Sequence, residues 1–322
     1  MSKITKALEK AARERFQRLQ EQPTVTAQPT TISLVPSAAA DLTALGKIQV
    51  DPHIVSATDP ESPIAEQYRI LRTNLQSLRL PGATRTAQAG MGPGSKTIIV
   101  TSSVHEEGKT VTAINLALSL ARQENLKVVL VDADLRKGSV QKWLQLPPSE
   151  GGLATALVRG GELNGALVRL QDPPLAILPA GAGGAEHAGE LLESSHMRRL
   201  LAILKAQFDV ILIDAPPVLP VADPSILAAQ ADGVLLVVRA GKTQRKTVAQ
   251  AQALLAHTKA NVLGCILTHV EHYLPGYYRY YHSYRYGESK DGKANDKGHV
   301  TSARGGSAFG GSDKTVAAQP QI

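Results

Sequence analysis

Hydrophobic runs alternate with helical patterns of apolar residues between about residues 97 and 270. Most of the runs are continuous, which is typical of parallel strands buried on both faces. The predicted strands are 97–102, 127–132, 176–179, 209–215, 233–239 and 262–269. The predicted helices between them are 110–123, 188–207, 224–231 and 243–257. Repeated strand–helix units indicate an α/β fold with a doubly wound, mostly parallel sheet.

The segments on either side of this region differ from it in composition. Residues 1–22 carry Ile4, Leu8 and Phe16 at helical spacing among basic residues. This pattern predicts a basic amphipathic helix that docks on a partner or a lipid surface, or caps the domain. Residues 23–60 are rich in Pro, Thr, Ser and Ala, which is typical of a flexible linker. The main domain is therefore predicted to span 61–270, followed by a tyrosine-rich segment, 271–287, and a disordered tail, 288–322.

The composition leads us to expect a cytoplasmic protein. The single cysteine, Cys265, excludes a disulfide framework, and its apolar surroundings predict a small core residue. The chain shows neither a signal-peptide pattern nor an apolar run of about 18 to 20 residues. The formal charge of +7 is spread along the chain without a helix-turn-helix or zinc pattern. We therefore expect no nucleic acid partner.

A phosphate-binding loop follows the first predicted strand. It runs Ser103-Val-His-Glu-Glu-Gly108-Lys109-Thr110, with Ser103 in place of the usual first glycine. Such a loop directs backbone N–H groups and a helix N-terminus toward phosphate. Lys109 is expected to reach the β- and γ-phosphates, and Thr110 to ligate Mg²⁺. The candidate contacts to ATP are Ser103, Glu107, Gly108, Lys109, Thr110 and Val111.

Three carboxylates end two later strands. Asp132 and Asp134 are separated by one residue, so their side chains are expected on the same side, in the crevice where ligands bind. Asp214 ends the run Val-Ile-Leu-Ile in the form of a Walker B strand. The predicted domain is thus a P-loop NTPase of the Walker A, A′ and B type, with Thr110, Asp132 and Asp214 as candidate Mg²⁺ ligands. The candidate catalytic residues are Lys109, Asp132, Asp134 and Asp214. The sequence does not separate the roles of Asp132 and Asp134 in metal binding, substrate orientation and proton acceptance.

Seven of the eight tyrosines fall in one short segment after the last predicted strand. They are Tyr273, Tyr277, Tyr278, Tyr280, Tyr281, Tyr284 and Tyr286. No period of 2 or 3.6 organises them, so they do not form the buried face of a strand or helix. They form either an aromatic stacking patch for sugar or single-stranded nucleic acid, or a set of phosphate acceptors.

These motifs resemble the bacterial tyrosine kinases (BY-kinases) that control capsule and exopolysaccharide synthesis. The resemblance covers about residues 62–286 and is carried by Glu-Gly-Lys-Thr at 107–110, by Asp132-Ala-Asp134-Leu-Arg136 and by Ile213-Asp214-Ala-Pro-Pro217. It implies an ATP- and Mg²⁺-dependent autokinase that forms rings and phosphorylates the tyrosine cluster between subunits. It also implies activation, and recruitment to the inner face of the membrane, by the cytoplasmic tail of a transmembrane polysaccharide chain-length regulator. His105 and Glu106 depart from the family pattern, which often has proline or small residues there.

A helix predicted over 62–79 carries Glu66, Arg69 and Arg72 three residues apart. The resemblance implies that this helix is an oligomerisation interface, whereas the residues alone also fit a solvated helix face. Two other functions share the P-loop. An ATPase switch of the cell-division-site or chromosome-partition type would carry a signature lysine where this chain has Val104. A non-catalytic nucleotide-binding scaffold would have the same sequence features.

Overall fold

A parallel sheet forms the centre of the computed structural model, which describes residues 50–77, 96–146, 151–163 and 165–270. The predicted N-terminal helix, the tyrosine cluster and the C-terminal tail lie outside the described residues. The strands are β1 Lys96–Ser102, β2 Val128–Asp132, β3 Val168–Arg169, β4 Leu175–Leu178, β5 Val210–Asp214, β6 Gly233–Arg239 and β7 Val262–Thr268. Their order is β3-β4-β2-β5-β1-β6-β7, and only the β3–β4 pair is antiparallel.

Helices cover both faces of the sheet. They are α1 Val55–Thr58, α2 Pro63–Ser77, α3 Lys109–Ala121, α4 Val140–Trp143, α5 Leu153–Val158, α6 Ala188–Glu193, α7 Ser195–Gln207, α8 Asp223–Ala228 and α9 Arg245–His257. One apolar core joins the sheet to α1–α4, and a second joins its other face to α5–α9. Strands β1, β2 and β5 are buried along their whole length, because helices cover them on both sides. The predicted doubly wound α/β fold is confirmed. No helix in the described part of the chain is long and apolar enough to span a bilayer.

The strand register brings the predicted site residues to one edge of the sheet. Asp132, the last residue of β2, pairs with Asp214, the last residue of β5. Asp214 also pairs with Val100, three residues before the phosphate-binding loop begins. The carboxyl ends of β1, β2 and β5 therefore form the floor of one crevice, as expected for a sheet of this type.

Three expectations from the sequence need correction. The helix predicted over 188–207 is two helices, because Ser194 adopts an extended backbone and its hydroxyl caps α7 by accepting the Met197 N–H. The linker prediction is wrong for residues 50–60, where α1 lies and Ile54 is fully buried. Cys265 is exposed rather than in the core, because β7 is an edge strand.

Candidate active site

The phosphate-binding loop connects β1 to α3 and is fixed by one of its own side chains. Gly108 has φ +90°, a left-handed conformation that favours glycine, and Lys109 begins the helix. The buried carboxylate of Glu107 accepts the Val104 N–H at 2.8 Å and the Thr243 hydroxyl. The Glu107 side chain therefore holds the loop in shape and joins it to the β6–α9 loop. The Glu107 side chain is thus occupied within the protein, and the predicted contact between Glu107 and ATP remains a prediction for its backbone N–H alone.

Lys109 lies between the carboxylates at the ends of β2 and β5. Its Nζ is 3.1 Å from Asp134 Oδ2 and 3.5 Å from Asp214 Oδ1. Burial alone would lower the pKa of Lys109, but the two carboxylates outweigh burial and raise the pKa above its ordinary value. The lysine therefore remains charged at the mouth of the loop.

Thr110 and Asp214 form the metal-binding side of the predicted site. The Thr110 hydroxyl donates to Asp214 Oδ2 at 2.7 Å, and the Ser139 hydroxyl lies 3.3 Å from Thr110 Oγ1. The second Asp214 oxygen, Oδ1, is buried, and its neighbouring donor is the Lys109 ammonium at the long distance of 3.5 Å. Burial raises the pKa of Asp214 even though Lys109 and Thr110 oppose the shift. The sequence did not indicate Ser139, which no local motif connects to the loop.

Asp132 is oriented by the loop that follows β2. Its Oδ1 accepts the Asp134 N–H at 3.2 Å and its Oδ2 accepts the Val140 N–H at 3.0 Å. Burial, with the nearby Asp214 charge, raises the pKa of Asp132 to about 7. Asp134 bonds to Lys109 through Oδ2 and accepts the Lys137 N–H through Oδ1 at 3.1 Å. The structure thus brings all three carboxylates and the lysine into one buried cluster.

The charge of this cluster fits a divalent cation together with a nucleotide phosphate. Three buried carboxylates face one lysine, and the buried Asp214 Oδ1 has no hydrogen bond shorter than its 3.5 Å contact with that lysine. Within the described residues, no three His, Cys, Asp or Glu side chains are arranged to hold a metal by themselves. Mg²⁺ in nucleotide sites takes only one or two carboxylates, because phosphates and waters supply the other oxygens. Thr110, Asp132 and Asp214 therefore fit the predicted role of Mg²⁺ ligands.

A charged pair beside the cluster was not assigned a role from the sequence. Arg136, in the loop after β2, makes a bidentate contact with Asp223, the first residue of α8, at 2.9 and 3.2 Å. Asp223 is buried, whereas Arg136 is partly exposed. The pair joins the loop after β2 to the segment after β5. Arg136 stood in the motif that carried the family resemblance, but nothing near Asp223 in the sequence identified its partner.

The residues predicted to form an oligomer interface lie on α2, away from the carboxylate cluster. Glu66 Oε2 is 2.7 Å from Arg69 Nε, and Arg69 also donates to the Pro60 carbonyl at 2.9 Å. Arg72 donates to the Ser119 carbonyl near the end of α3 at 2.7 Å. These contacts within one chain attach α2 to its surroundings, and the interface stays a prediction.

The fold and this cluster define a nucleotide-binding domain of the P-loop class with Walker A, A′ and B elements. The family model described as "AAA domain" matches residues 95–262. The tyrosine-protein kinase YwqD of Bacillus subtilis (strain 168) is 35% identical over 215 residues, which cover 67% of this chain and 85% of YwqD. The solved kinase domain of the Escherichia coli tyrosine kinase ETK is 27% identical, with a TM-score of 0.59, and the match covers 66% of this chain and 78% of that domain.

The chain therefore belongs to the bacterial tyrosine-protein kinases, and it is a protein-tyrosine kinase. The resemblance drawn from its motifs is confirmed. A further relative, the succinoglycan biosynthesis transport protein ExoP of Rhizobium meliloti (strain 1021), is 33% identical over 180 residues. That match covers 55% of this chain and 22% of ExoP.

Proposed function

We propose that this kinase transfers the γ-phosphoryl group of ATP to tyrosine hydroxyls of its own C-terminal cluster, between subunits of a ring-like homo-oligomer. The observation that carries the proposal is the position of Lys109, held between Asp134 and Asp214 at the mouth of the phosphate-binding loop. A lysine at this position can bind the phosphate that is transferred, while the two carboxylates hold the lysine in place. The segment that holds the seven tyrosines, 273–286, begins five residues after Thr268, the end of the last strand.

Positioning and charge neutralisation account for most of the catalysis in such a reaction, because the transition state of phosphoryl transfer is loose. Lys109 would neutralise the phosphate oxygens, and α3 would direct its first N–H groups toward them. When bound, Mg²⁺ would supply further neutralisation of phosphate charge, with Thr110, Asp132 and Asp214 as its ligands. Asp132 and Asp134 are each fixed by a backbone N–H, so they can hold the incoming phenol in one orientation.

The biological role we propose is control of capsule or exopolysaccharide synthesis and export. The name of ExoP connects one relative with the transport of a polysaccharide. As the family resemblance implies, the cytoplasmic tail of a transmembrane chain-length regulator would activate the kinase and recruit it to the inner face of the membrane. The Glu66, Arg69 and Arg72 helix would form the contact between subunits.

The test is intact-mass analysis and phosphopeptide mapping after incubation with Mg-ATP. The wild-type chain should acquire phosphate within 273–286, and Lys109→Met should acquire none. A second reaction would mix Lys109→Met with a variant in which the seven cluster tyrosines are Phe. Phosphate on the Lys109→Met chain would then demonstrate transfer between subunits. ATP hydrolysis without phosphotyrosine, also after addition of the regulator's cytoplasmic tail, would overturn the proposal.

A further inference from the structure

The segment that forms one edge of the sheet contains no acidic residue over a long stretch of sequence. Between Asp232 and Glu271, a segment that contains β6, α9 and β7, the sequence has five Lys and Arg residues and neither Asp nor Glu. Four of the five lie from the last residue of β6 to the first turn of α9. We call this group the basic edge; it consists of Arg239, Lys242, Arg245 and Lys246.

Two of the four cations have no acidic partner in the described part of the chain. Glu106 in the phosphate-binding loop pairs with Lys242 at 3.1 Å, and Glu106 also lies near Arg239. Among the described residues, no carboxylate pairs with Arg245 or Lys246, which are both exposed. The two residues begin α9, where the helix dipole disfavours positive charge. Their charges therefore do not stabilise the fold, and they are available to an anionic partner.

The chain leaves the sheet beside the basic edge. Arg239 pairs with Thr268, the last residue of β7, and the Ala240 N–H donates to the Thr268 carbonyl at 3.0 Å. The first tyrosine of the cluster, Tyr273, follows five residues later. An extended chain spans about 3.3–3.6 Å per residue, so the cluster can reach the basic edge of its own subunit.

Phosphorylation changes the sign of the charge on this tail. Residues 271–287 contain Glu271, Arg279 and Arg285, a formal excess of one positive charge. Each phosphotyrosine adds about −1.5 to −2 charges, so two or more make the tail strongly anionic. The unmodified tail is therefore repelled by the basic edge, and the phosphorylated tail is attracted to it.

We infer that the basic edge is the docking surface for the chain's own phosphorylated tyrosine cluster. The inference rests on the proposed autophosphorylation. Attachment to the same chain gives the tail a high effective concentration at this surface. Docking there holds the product outside the carboxylate-lined crevice, on the opposite side of the phosphate-binding loop.

The test uses a fluorescent synthetic peptide of residues 271–287 and the full, dephosphorylated chain. One peptide carries phosphate at Tyr280, Tyr281 and Tyr284, and the other carries none. Saturating Mg-ADP occupies the nucleotide site, so that peptide phosphates cannot bind there. By fluorescence anisotropy, the phosphopeptide should bind at least about tenfold more tightly than the unmodified peptide, and less tightly as salt increases.

The paired variant Arg245→Gln/Lys246→Gln should lose at least about tenfold in phosphopeptide affinity. The matched control is Arg198→Gln/Arg199→Gln, which removes the same charge from exposed positions on α7. The first variant should melt at the same temperature as the wild type or slightly higher, because it removes cations from a helix start. A loss of binding would then not reflect unfolding.

Three results would overturn the inference. The first is equal binding of the two peptides, and the second is equal losses in the two paired variants. The third is phosphopeptide binding that is seen only when Mg-ADP is left out, which would place the peptide in the nucleotide site. The inference would also be overturned if the Arg245→Gln/Lys246→Gln variant lost binding to phosphatidylserine vesicles but kept its affinity for the phosphopeptide. That result would identify a membrane surface instead. The peptides are phosphorylated by synthesis, so this result does not depend on whether the chain phosphorylates itself.

Discussion

The two sides of the phosphate-binding loop carry opposite charges in opposite surroundings. On one side, Asp132, Asp134 and Asp214 are almost completely buried around Lys109. On the other side, Lys242, Arg245 and Lys246 are exposed, and of these three only Lys242 is in an ion pair with a described residue, Glu106. Charges interact several times more strongly in a protein interior than in water. Each buried charge is therefore expected to have a large individual effect, whereas the exposed charges act together and weakly.

The largest effect is expected from Asp214→Asn. The amide keeps the shape of the side chain but removes the charge that faces Thr110 and Lys109. We expect a fall in kcat of about 1,000-fold or more, comparable to the loss of a main electrostatic group in an active site. The measurement is steady-state phosphorylation of tyrosine at saturating ATP.

The control for this substitution is Asp209→Asn. Asp209 precedes the same strand at its opposite end and accepts the Lys127 N–H. This variant should keep its kcat within about twofold, since exposed substitutions away from a site have small effects. The melting temperature of Asp214→Asn without Mg²⁺ should not fall, because burial already disfavours the charged form of this group. A similar kcat loss in both variants would contradict the assignment of Asp214 to the site.

The second prediction concerns the pH dependence of stability without Mg²⁺. Because the pKa of Asp132 is about 7 in the folded chain and 3.8 as an ordinary carboxyl, the folded state binds more protons between these values. The free energy of unfolding should therefore fall as pH rises from about 4 to about 7, by about 2–4 kcal/mol. Urea denaturation in EDTA at a series of pH values measures it.

Asp132→Asn isolates this contribution. The variant cannot lose the proton, so its stability should decline less with pH than that of the wild type, and it should be the more stable of the two at pH 8. Mg-ADP should stabilise the wild type more at pH 8 than at pH 5, because protons compete with the cation for the carboxylates. Parallel pH profiles of the two proteins would refute the role given to Asp132.

A smaller effect is expected from breaking the ion pair between Arg136 and Asp223, which joins the loop after β2 to the segment after β5. Arg136→Gln leaves the Asp223 carboxylate, which is 1% exposed, without its bidentate partner. We expect a loss of about 1–3 kcal/mol in the free energy of unfolding. We also expect a fall of up to about tenfold in kcat, because the loop that carries Arg136 leads directly to Val140, whose N–H donates to Asp132. Chemical denaturation and initial-rate kinetics measure the two quantities.

The double variant Arg136→Gln/Asp223→Asn tests whether the pair itself is responsible. It should recover part of the lost stability, because two amides can bond to each other without a buried charge. A double-mutant cycle in which the two losses simply add would mean that the residues do not act as a pair.

The sequence predicted the buried carboxylates far better than the residues that contact and support them. Strands β1, β2 and β5 each contain a continuous apolar run and lead to the phosphate-binding loop, Asp132 and Asp214, so the pattern located both the strands and the charges at their ends. Ser139 and Asp223 reach the site from 29 and 87 residues away in the chain, and contacts at such separations leave no local pattern.

The hydrophobic pattern also does not predict which strand lies at the edge of the sheet or where a helix is interrupted. An apolar run does not reveal whether its strand has one neighbour or two, so Cys265 was placed in the core although β7 has an open edge. The cap at Ser194 divides a sequence whose helical spacing continues on both sides of it. The place of a strand in the sheet and the end of a helix depend on both local preference and long-range contacts. Hydrophobic periodicity reports only the local preference.

The smallest effect is expected from Lys242→Gln, which breaks the ion pair with Glu106. Both side chains are more than half exposed, so solvent screens the pair, and side-chain entropy opposes it. The melting temperature should change by less than about 2 °C, and added salt should reduce even that difference. The pKa of Glu106 is lowered by Lys242, so any stabilisation is present at neutral pH and is lost as the pH falls below the ordinary pKa of a glutamate. A larger change in melting temperature, or one insensitive to salt, would mean that the charges of the basic edge are coupled as strongly as those of the buried carboxylate cluster. The contrast between the two regions would then be wrong.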